Sequence, residues 1–266
     1  MSIVFQTSSH AEAFFNCTHT FLGAIIPSSR DQVSYNGYET KVSVCPISVN
    51  YRMLSEHAVS SSVEQAKSVL RHQLGFRVGV RLGLGVDRLD YPKGLLRRVW
   101  ALDEFFTHFP QYRGKVTFLQ IAIPTRTEIG TYQLYGDLIR ETVIDINQRH
   151  LALFKDIPDG GNEWIPILLQ EERIGFDDLV ALYGMADFAL VSSVNDGMNL
   201  VAKEYVAAHV CETGVLLVSQ MAGASEELPG ASVINPYEIE GLAETIKDAI
   251  EMPLDERRRR MRRMRS

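Results

Sequence analysis

The 266-residue chain has few cysteines, no long apolar run and no overall excess of positive charge. Its cysteines, Cys17, Cys45 and Cys211, are far apart and form no CxxC pair. We therefore expect free, buried thiols in a cytoplasmic protein. No apolar stretch reaches the roughly 18 residues that a membrane-spanning helix needs, and the first residues do not resemble a signal peptide. These absences predict no membrane partner.

Positive charge is concentrated at one end of the chain. The net charge is −6, but residues 254–266 hold seven arginines against two acids, which leaves −11 for the remainder. Such a remainder is a poor surface for nucleic acid. The arginine segment itself fits either a nucleic-acid or membrane arm, or a solvated helix end with Met261 and Met264 facing an apolar surface. The second interpretation is favoured because arginines suit a helix C-terminus.

Short β-branched runs alternate with stretches of helical period along most of the chain. Strands are predicted at 77–86, 115–124, 188–193, 214–220 and 232–236. Helices are predicted at 95–106, 127–149, 176–186, 198–209 and 239–251. Near-continuous apolar strands separated by helices are typical of a parallel sheet that is buried on both faces. The sequence therefore predicts an α/β fold with a doubly wound parallel sheet.

The first part of the chain differs in kind. A helix is predicted over 8–22, and 33–50 alternates like two paired strands around Asn36-Gly37, a hairpin signal. A helical connector over about 62–74 follows. These elements are too few for an independent sheet-and-helix domain. We expect a small piece at 1–52, a connector at 53–75 and one complete α/β domain at 76–266.

The loop Gly85–Gly94 (GVDRLDYPKG) lies between a predicted strand and a predicted helix, where open α/β sheets bind ligands. Arg88 and Lys93 are placed to hold an oxyanion from two sides, and Gly94 allows close backbone approach. A dinucleotide fingerprint is excluded because position 88 is arginine rather than glycine. The alternative is a plain surface loop in which Arg88 pairs with a neighbouring aspartate, Asp87 or Asp90.

Two further segments follow predicted strands. In Asn195–Glu204 (NDGMNLVAKE), Asn195 or Asp196 is a natural helix N-cap, and the helix N-terminus suits phosphate. Glu204 lies farther along this helix, where it could reach ribose hydroxyls. Plain helix capping is the structural alternative. Arg126, in Pro124-Thr125-Arg126, follows another strand and would line the same cleft.

Together, GVDRLDYPKG, IAIPTR and DGMNLVAKEYVAA, in this order, closely resemble the most characteristic stretches of the trehalose-6-phosphate synthase family of retaining glycosyltransferases. The resemblance runs from about Ile3 to the last residue. It implies a GT-B fold, in which residues 76–266 form the Rossmann-like C-terminal domain that binds the nucleotide sugar. Residues 1–52 would be a remnant of the N-terminal acceptor domain, most of which the chain lacks.

The resemblance also assigns site residues. By this resemblance, Arg88 and Lys93 would be the catalytic residues and would bind the donor diphosphate, while Arg126 would assist the phosphate of the acceptor. The remaining donor-binding positions would be Ile174, through its backbone on uracil; Asp196 and the backbone of Gly197, Met198 and Asn199, on the glucose hydroxyls; Leu200 and Val201, through their amides on the phosphates; Ala202 and Lys203; and Glu204, on the ribose. No metal and no cofactor are expected.

The function implied is transfer of glucose from UDP-glucose, or another nucleotide glucose, to glucose 6-phosphate, giving trehalose 6-phosphate with retention. A glucosylglycerol-phosphate synthase-like transferase and a non-catalytic nucleotide-sugar-binding fragment are the alternatives. The apolar residues Phe14, Phe15 and Phe21 predict self-association or a partner that supplies the missing N-terminal half.

Overall fold

The structure, a computed structural model, describes residues 1–74, 79–155 and 164–266. It divides the chain into two compact units, Met1–Val49 and Asn50–Ser266. Among the described residues, no helix has the length and apolarity to cross a membrane. The predicted boundary at 75/76 lies outside the described residues. The assignment of 1–52 to an acceptor domain stays a prediction.

The first unit is a small mixed sheet packed on one helix. Its elements are β1 (Ser2–Phe5), α1 (Ser8–Leu22), β2 (Gln32–Tyr35) and β3 (Tyr38–Val44). The sheet order is β1-β3-β2, with β1 parallel and β2 antiparallel to β3. The predicted helix and hairpin are confirmed, whereas β1 was not predicted. The buried core residues of this unit are Ala11, Phe15, Ala24, Val33 and Val42.

The second unit alternates strands and helices. Its strands are β4 (Arg81–Leu89), β5 (Val116–Pro124), β6 (Ile167–Gln170), β7 (Phe188–Val191), β8 (Val215–Ser219) and β9 (Ser232–Ile234). Its helices are α2 (Tyr51–His57), α3 (Ser61–Gln73), α4 (Leu95–His108), α5 (Gly130–Lys155), α6 (Phe176–Met185), α7 (Leu200–Ala208), α8 (Ala224–Glu227), α9 (Ile239–Glu251) and α10 (Leu254–Arg265). Short 3₁₀ turns lie at Tyr91–Lys93 and Pro110–Tyr112.

The six strands that the structure describes in the second unit are all parallel, in the order β6-β5-β4-β7-β8-β9. Along the chain, this sheet begins with the central strand β4 and adds β5 and β6 toward one edge. The chain then returns to the centre with β7 and adds β8 and β9 toward the other edge. This order confirms the predicted doubly wound α/β sheet. The strand order reverses between β4 and β7, so the loops that follow these strands flank the switch point at which such sheets bind ligands.

The core of the second unit lies between the sheet and its helices. The predicted apolar stripe of α4 is buried, including Leu95, Val99, Leu102, Phe105 and Phe106. Helix α3 packs against α6, and α2 packs against α7. The predicted connector is therefore a pair of helices attached to the second unit. The short elements α2 and β6 were not predicted.

The structure corrects one prediction about the cysteines and confirms another about the arginine segment. Cys17, Cys45 and Cys211 are free, as expected, but all three are exposed rather than buried. The arginine segment forms α10, in which Met261 is fully buried. Arg257 is buried too and donates hydrogen bonds to the carbonyls of Ala249, Ile250 and Met252. The segment is thus a helix that turns Met261 toward an apolar surface, as the favoured interpretation expected.

Candidate functional site

The loop after β4 turns sharply and is held close to the end of β7. Asp90 is buried, and a single 3₁₀ turn leads to Gly94, whose φ of 68° lies in the left-handed region. A Cβ at this position would overlap the carbonyl oxygen of Ser192. The amide of Val194 also donates to the Pro92 carbonyl at 2.8 Å. Glycine at 94 thus allows the two loops of the switch point to touch.

The loop after β7 ends on the N-terminus of α7. Asn199 is the N-cap, because its side-chain oxygen accepts from the amide of Ala202 at 3.1 Å. The expectation of a cap at Asn195 or Asp196, with a helix from Met198, is wrong. The backbone of Asp196 instead forms an isolated parallel bridge with Ala222, and its carboxylate contacts Lys93 rather than the first amides of α7. The first-turn amides of α7 have no intrahelical carbonyl to bond, so this end suits an anion.

Lys93 and Asp196 join the two loops. The Lys93 ammonium lies 2.6 Å from Asp196 Oδ2, and both side chains are largely buried. Ser193 Oγ and Asn199 Nδ2 donate to the same oxygen at 3.2 and 2.9 Å. Burial alone would raise the pKa of the Asp196 carboxyl, but the hydrogen bond and charge of Lys93, with the two neutral donors, lower it overall. The structure therefore brings two of the predicted segments together around one fixed cation.

Arg88 is placed differently. It lies near the end of β4, its side chain is 60% exposed, and its guanidinium is 4.0 Å from Asp90 Oδ2. That separation is too long for a hydrogen bond, so the guanidinium is held only loosely. Asp87, the other partner considered for Arg88, is paired with Arg98. Lys93 is thus fixed by its contact with the loop before α7, whereas Arg88 is a solvent-facing cation near the end of β4.

Arg126 lies just beyond β5, the neighbour of β4. Its φ of 52° is unusual for a residue other than glycine. Its guanidinium donates to the Tyr132 hydroxyl and lies 5.2 Å from the centre of that ring. The Tyr132 ring is in turn 5.8 Å from Tyr91, in the loop after β4. Beside it lies a cavity of about 250 Å³, lined by residues that include Leu89, Thr125, Tyr132 and Arg140.

The other predicted donor-binding positions fall into two groups. Those with exposed or half-buried positions are Ile174, Gly197, Leu200, Val201 and Glu204. Those that are buried are Met198, Asn199, Ala202 and Lys203, so Met198 and Ala202 are left with backbone roles at most. Lys203 forms an ion pair with Glu227 at 2.7 Å. Glu204 accepts a hydrogen bond from the Tyr183 hydroxyl at 2.8 Å, which orients its carboxylate.

Sequence reasoning missed a buried polar network beneath the switch point. Arg98, on α4, is fully buried and donates to Asp87 at 2.7 Å, Gln120 at 2.6 Å and Ser192 at 2.9 Å. These partners lie on β4, on β5 and at the end of β7. One side chain therefore ties β4, β5 and the end of β7 to α4, the helix that follows Gly94. The available signals were Asp87 and Gln120, polar residues inside apolar strands, and an arginine on the buried stripe of α4.

Chemically, the assembled site offers an ammonium, a helix N-terminus and an outlying guanidinium, all suited to a phosphate-bearing ligand. Among the described residues, no group of three or more histidine, cysteine, aspartate or glutamate side chains could hold a metal ion. The arrangement can stabilise negative charge that develops on a leaving phosphate. Asp196 and Asn199, next to that charge, carry polar side chains of a kind that can bind hydroxyl groups.

Comparison with known proteins gives one consistent family. The family model for glycosyltransferase family 20 matches residues 2–266. A UDP-forming alpha,alpha-trehalose-phosphate synthase of Botryotinia fuckeliana is 35% identical over 256 residues, covering 96% of this chain and 46% of that protein. The chain thus spans about half the length of the curated relatives it matches.

Solved structures agree with the sequence comparison. A UDP-forming alpha,alpha-trehalose-phosphate synthase from Burkholderia xenovorans, in complex with glucose-6-phosphate, superposes with a TM-score of 0.89 at 34% identity, covering 99% of this chain and 56% of that one. A structure described as trehalose-6-phosphate from E. coli bound with UDP-2-fluoro glucose gives 0.87 at 30% identity, with coverages of 99% and 56%. The fold, the ordered site segments and the family match together show that this chain belongs to glycosyltransferase family 20.

Proposed function

We propose that this chain binds UDP-glucose at the β4–β7 switch point and acts in the transfer of glucose to glucose 6-phosphate, with retention, to give trehalose 6-phosphate. The observation that carries the proposal is the 2.6 Å contact between Lys93 and Asp196, which joins the two switch-point loops around one cation. Relatives named as UDP-forming synthases support the choice of donor. The UDP-2-fluoro glucose complex supports it as well.

In this proposal the donor diphosphate lies between Lys93 and the N-terminus of α7, with Arg88 reaching it from the exposed end of β4. The main catalytic requirement is to stabilise the negative charge that grows on the diphosphate as the glycosidic bond breaks. Lys93 and the α7 amides provide fixed positive charge for this purpose. Asp196 and the backbone of Gly197–Asn199 would hold the glucose hydroxyls.

Two further contacts orient the nucleoside in this proposal. Glu204, whose carboxylate is fixed by the Tyr183 hydroxyl, would accept from the ribose hydroxyls. Ile174, in the loop before α6, would contact uracil through its backbone. Both positions carry over from the family resemblance. Geometry also supports Glu204, because its carboxylate is ordered and lies on α7, whose N-terminus faces the phosphates in this proposal.

The acceptor phosphate is assigned to Arg126. Its guanidinium lies at the end of β5, directly beside β4 in the sheet, and is held by Tyr132. The relative solved with glucose-6-phosphate supports this choice of acceptor. A guanidinium suits a phosphate because its parallel N–H groups match the phosphate oxygens.

Donor binding is tested by calorimetric titration of UDP-glucose into the parent chain, an Arg88→Ala variant and an Arg52→Ala control. Arg52 is an exposed arginine on α2. A charge-assisted contact contributes about 1.5–3 kcal/mol, so Arg88→Ala should weaken binding by about tenfold to a hundredfold. Arg52→Ala should bind as the parent does. Equal affinities in the parent and the Arg88→Ala variant would refute the assigned donor site.

Transfer is tested separately, by incubating the chain with UDP-glucose and glucose 6-phosphate and measuring trehalose 6-phosphate and UDP. Formation of both products supports the synthase assignment. Donor binding without product would instead support the alternative of a nucleotide-sugar-binding unit that does not turn over. A parallel incubation replaces glucose 6-phosphate with glycerol 3-phosphate. Product formed only in that incubation would favour the glucosylglycerol-phosphate alternative.

A further inference from the structure

A cysteine and a histidine that play no part in the proposed transfer form a close pair after α7. Cys211 is exposed, and its Sγ lies 3.3 Å from His209 Nε2. Thr213 Oγ1 is 3.2 Å from the same sulfur. A thiol with an imidazole at hydrogen-bonding distance is the geometry of an activated nucleophile.

The imidazole is held in the orientation that a base requires. His209 is 1% exposed, and its Nδ1 lies 2.8 Å from the carbonyl oxygen of Tyr183. A carbonyl only accepts, so Nδ1 carries the proton and donates, which leaves the lone pair of Nε2 toward Cys211 and toward Thr213 Oγ1, which is also 3.3 Å away. The Cys211, His209 and Tyr183 carbonyl thus form a nucleophile, a base and a group that orients the base.

Among the groups around the thiol, the imidazole of His209 lowers the pKa of Cys211 the most. From α6, the Gly184 carbonyl is 4.0 Å from Sγ. From α7, the Tyr205 ring centre is 5.2 Å from the His209 ring. The nearby acid Glu212 is paired with Arg262 of α10 at 2.6 Å. Burial would raise the pKa of the Cys211 thiol, but the hydrogen bond and charge of His209, with Thr213, lower it to about 6.

We propose that Cys211 is a modification site, a nucleophilic thiolate activated by His209 that exchanges with low-molecular-weight disulfides of the glutathione-disulfide class. The Cys211 proton passes to His209 Nε2, and the thiolate sulfur attacks one sulfur of the disulfide. A new sulfur–sulfur bond forms as the old one breaks, and one thiolate leaves with its electron pair. The proton is then released from His209 to solvent. Net oxidation state is conserved, because one disulfide replaces another.

The test uses the full chain carrying Cys17→Ser and Cys45→Ser, so that Cys211 is its only cysteine. Its reaction with 2,2′-dithiodipyridine is followed by release of thiopyridone from pH 4.5 to 9.5. The rate should rise with a midpoint near pH 6. Incubation with glutathione disulfide at pH 7 should then give a glutathione adduct by intact mass, reversed by a reducing thiol. A midpoint close to the ordinary cysteine value of about 8.5 overturns the proposal.

A His209→Gln variant in the same background tests the activating group. Its midpoint should move toward about 8.5, and its rate at pH 6 should fall by about tenfold, since a larger loss of thiolate is partly offset by higher nucleophilicity. A chain carrying Cys45→Ser and Cys211→Ser, in which Cys17 is the only cysteine, provides the reference pH profile of an exposed thiol of this protein. An unchanged midpoint in a folded His209→Gln variant refutes the role of His209. The profile of the Cys211-only chain decides the proposal even where that variant does not fold.

Discussion

At the scale of single residues, the contact between Lys93 and Asp196 has a consequence for stability. The folded protein lowers the pKa of the Asp196 carboxyl, with burial opposing and Lys93 leading the groups that lower it. A lowered carboxyl pKa stabilises the folded protein above the ordinary aspartate value of about 3.9. This contribution is lost as the pH falls through the lowered value.

We therefore predict that Lys93→Met lowers the free energy of unfolding most at neutral pH, and that its difference from the parent shrinks as the pH falls below about 4. Urea unfolding at a series of pH values measures this. Lys115→Met, an exposed lysine before β5, is the matched control and should differ from the parent by the same small amount at every pH. A Lys93→Met difference that is independent of pH would contradict the assigned pair.

The second prediction at this scale concerns Arg98. Removing one partner of a buried ion pair leaves an uncompensated charge, which costs about 3–5 kcal/mol. Arg98→Met should therefore lower the free energy of unfolding by that amount in urea. The double variant Asp87→Asn/Arg98→Met should recover a large part of it, because the buried carboxylate is removed as well. A double variant no more stable than the single one would show that the Asp87–Arg98 pair is not what Arg98 contributes.

Sequence reasoning found residues whose chemistry stands out in a loop and missed those whose role depends on burial. Lys93 and Asp196 lie in loops after strands, so their meeting followed from topology alone. Arg98 lies within a helix, where an arginine ordinarily faces solvent, and only the folded structure shows it buried against β4, β5 and the end of β7. The exposed cysteines were placed wrongly for the same reason, since burial of a single small side chain is set by tertiary contacts.

At the scale of elements, the switch point depends on a glycine that closes the turn before α4. Gly94 has a left-handed backbone, and an added Cβ would overlap the Ser192 carbonyl. A left-handed conformation alone costs a residue other than glycine roughly 1–2 kcal/mol. We predict that Gly94→Ala lowers the free energy of unfolding by at least that amount and weakens UDP-glucose binding.

Gly197→Ala is the control for this change, because a Cβ there meets nothing within 4 Å. Its thermal unfolding temperature should match that of the parent. If both glycine variants unfold at the same temperature, the tight contact between the two loops is not a source of stability. Urea unfolding of each variant supplies the free energies.

The elements themselves were largely predictable, because long periodic segments such as α4, α9 and the buried strands carry their own signal. The start of α7 was not. Sequence reasoning expected Asn195 or Asp196 as the cap and did not consider Asn199, although local propensity does not rank asparagine and aspartate at this position. Asp196 is removed from the choice by Lys93, a residue far away in the chain, and Asn199 then caps the helix. The four-residue strand β6 and the seven-residue helix α2 are too short to show a clear period.

At the scale of the whole molecule, the first unit leaves large apolar side chains in solvent. Phe21 is 79% exposed, and Ile25 and Val4 are also exposed, whereas Phe15 belongs to the core. Of the three phenylalanines expected on this surface, only Phe21 is exposed, because Phe15 is buried and Phe14 packs against the core of the first unit. Exposed apolar groups of this size favour association with another surface.

We predict that light scattering gives a mass above the 29.9 kDa of one chain, and that Phe21→Asp lowers it. Val59→Asp is the control, since Val59 is an exposed apolar residue of the other unit. A monomer at high concentration would contradict the prediction. So would an effect of Val59→Asp equal to that of Phe21→Asp.

The central claim of the account is that Lys93 and the N-terminus of α7 hold the pyrophosphate of an activated sugar. Calorimetric titration of UDP and UMP into the parent and into Lys93→Ala tests it most directly, because the two nucleotides differ by one phosphate. The parent should bind UDP at least about tenfold more tightly than UMP, and Lys93→Ala should lose most of that preference. Equal affinities for the two nucleotides in the parent, or an undiminished preference in Lys93→Ala, would contradict the claim.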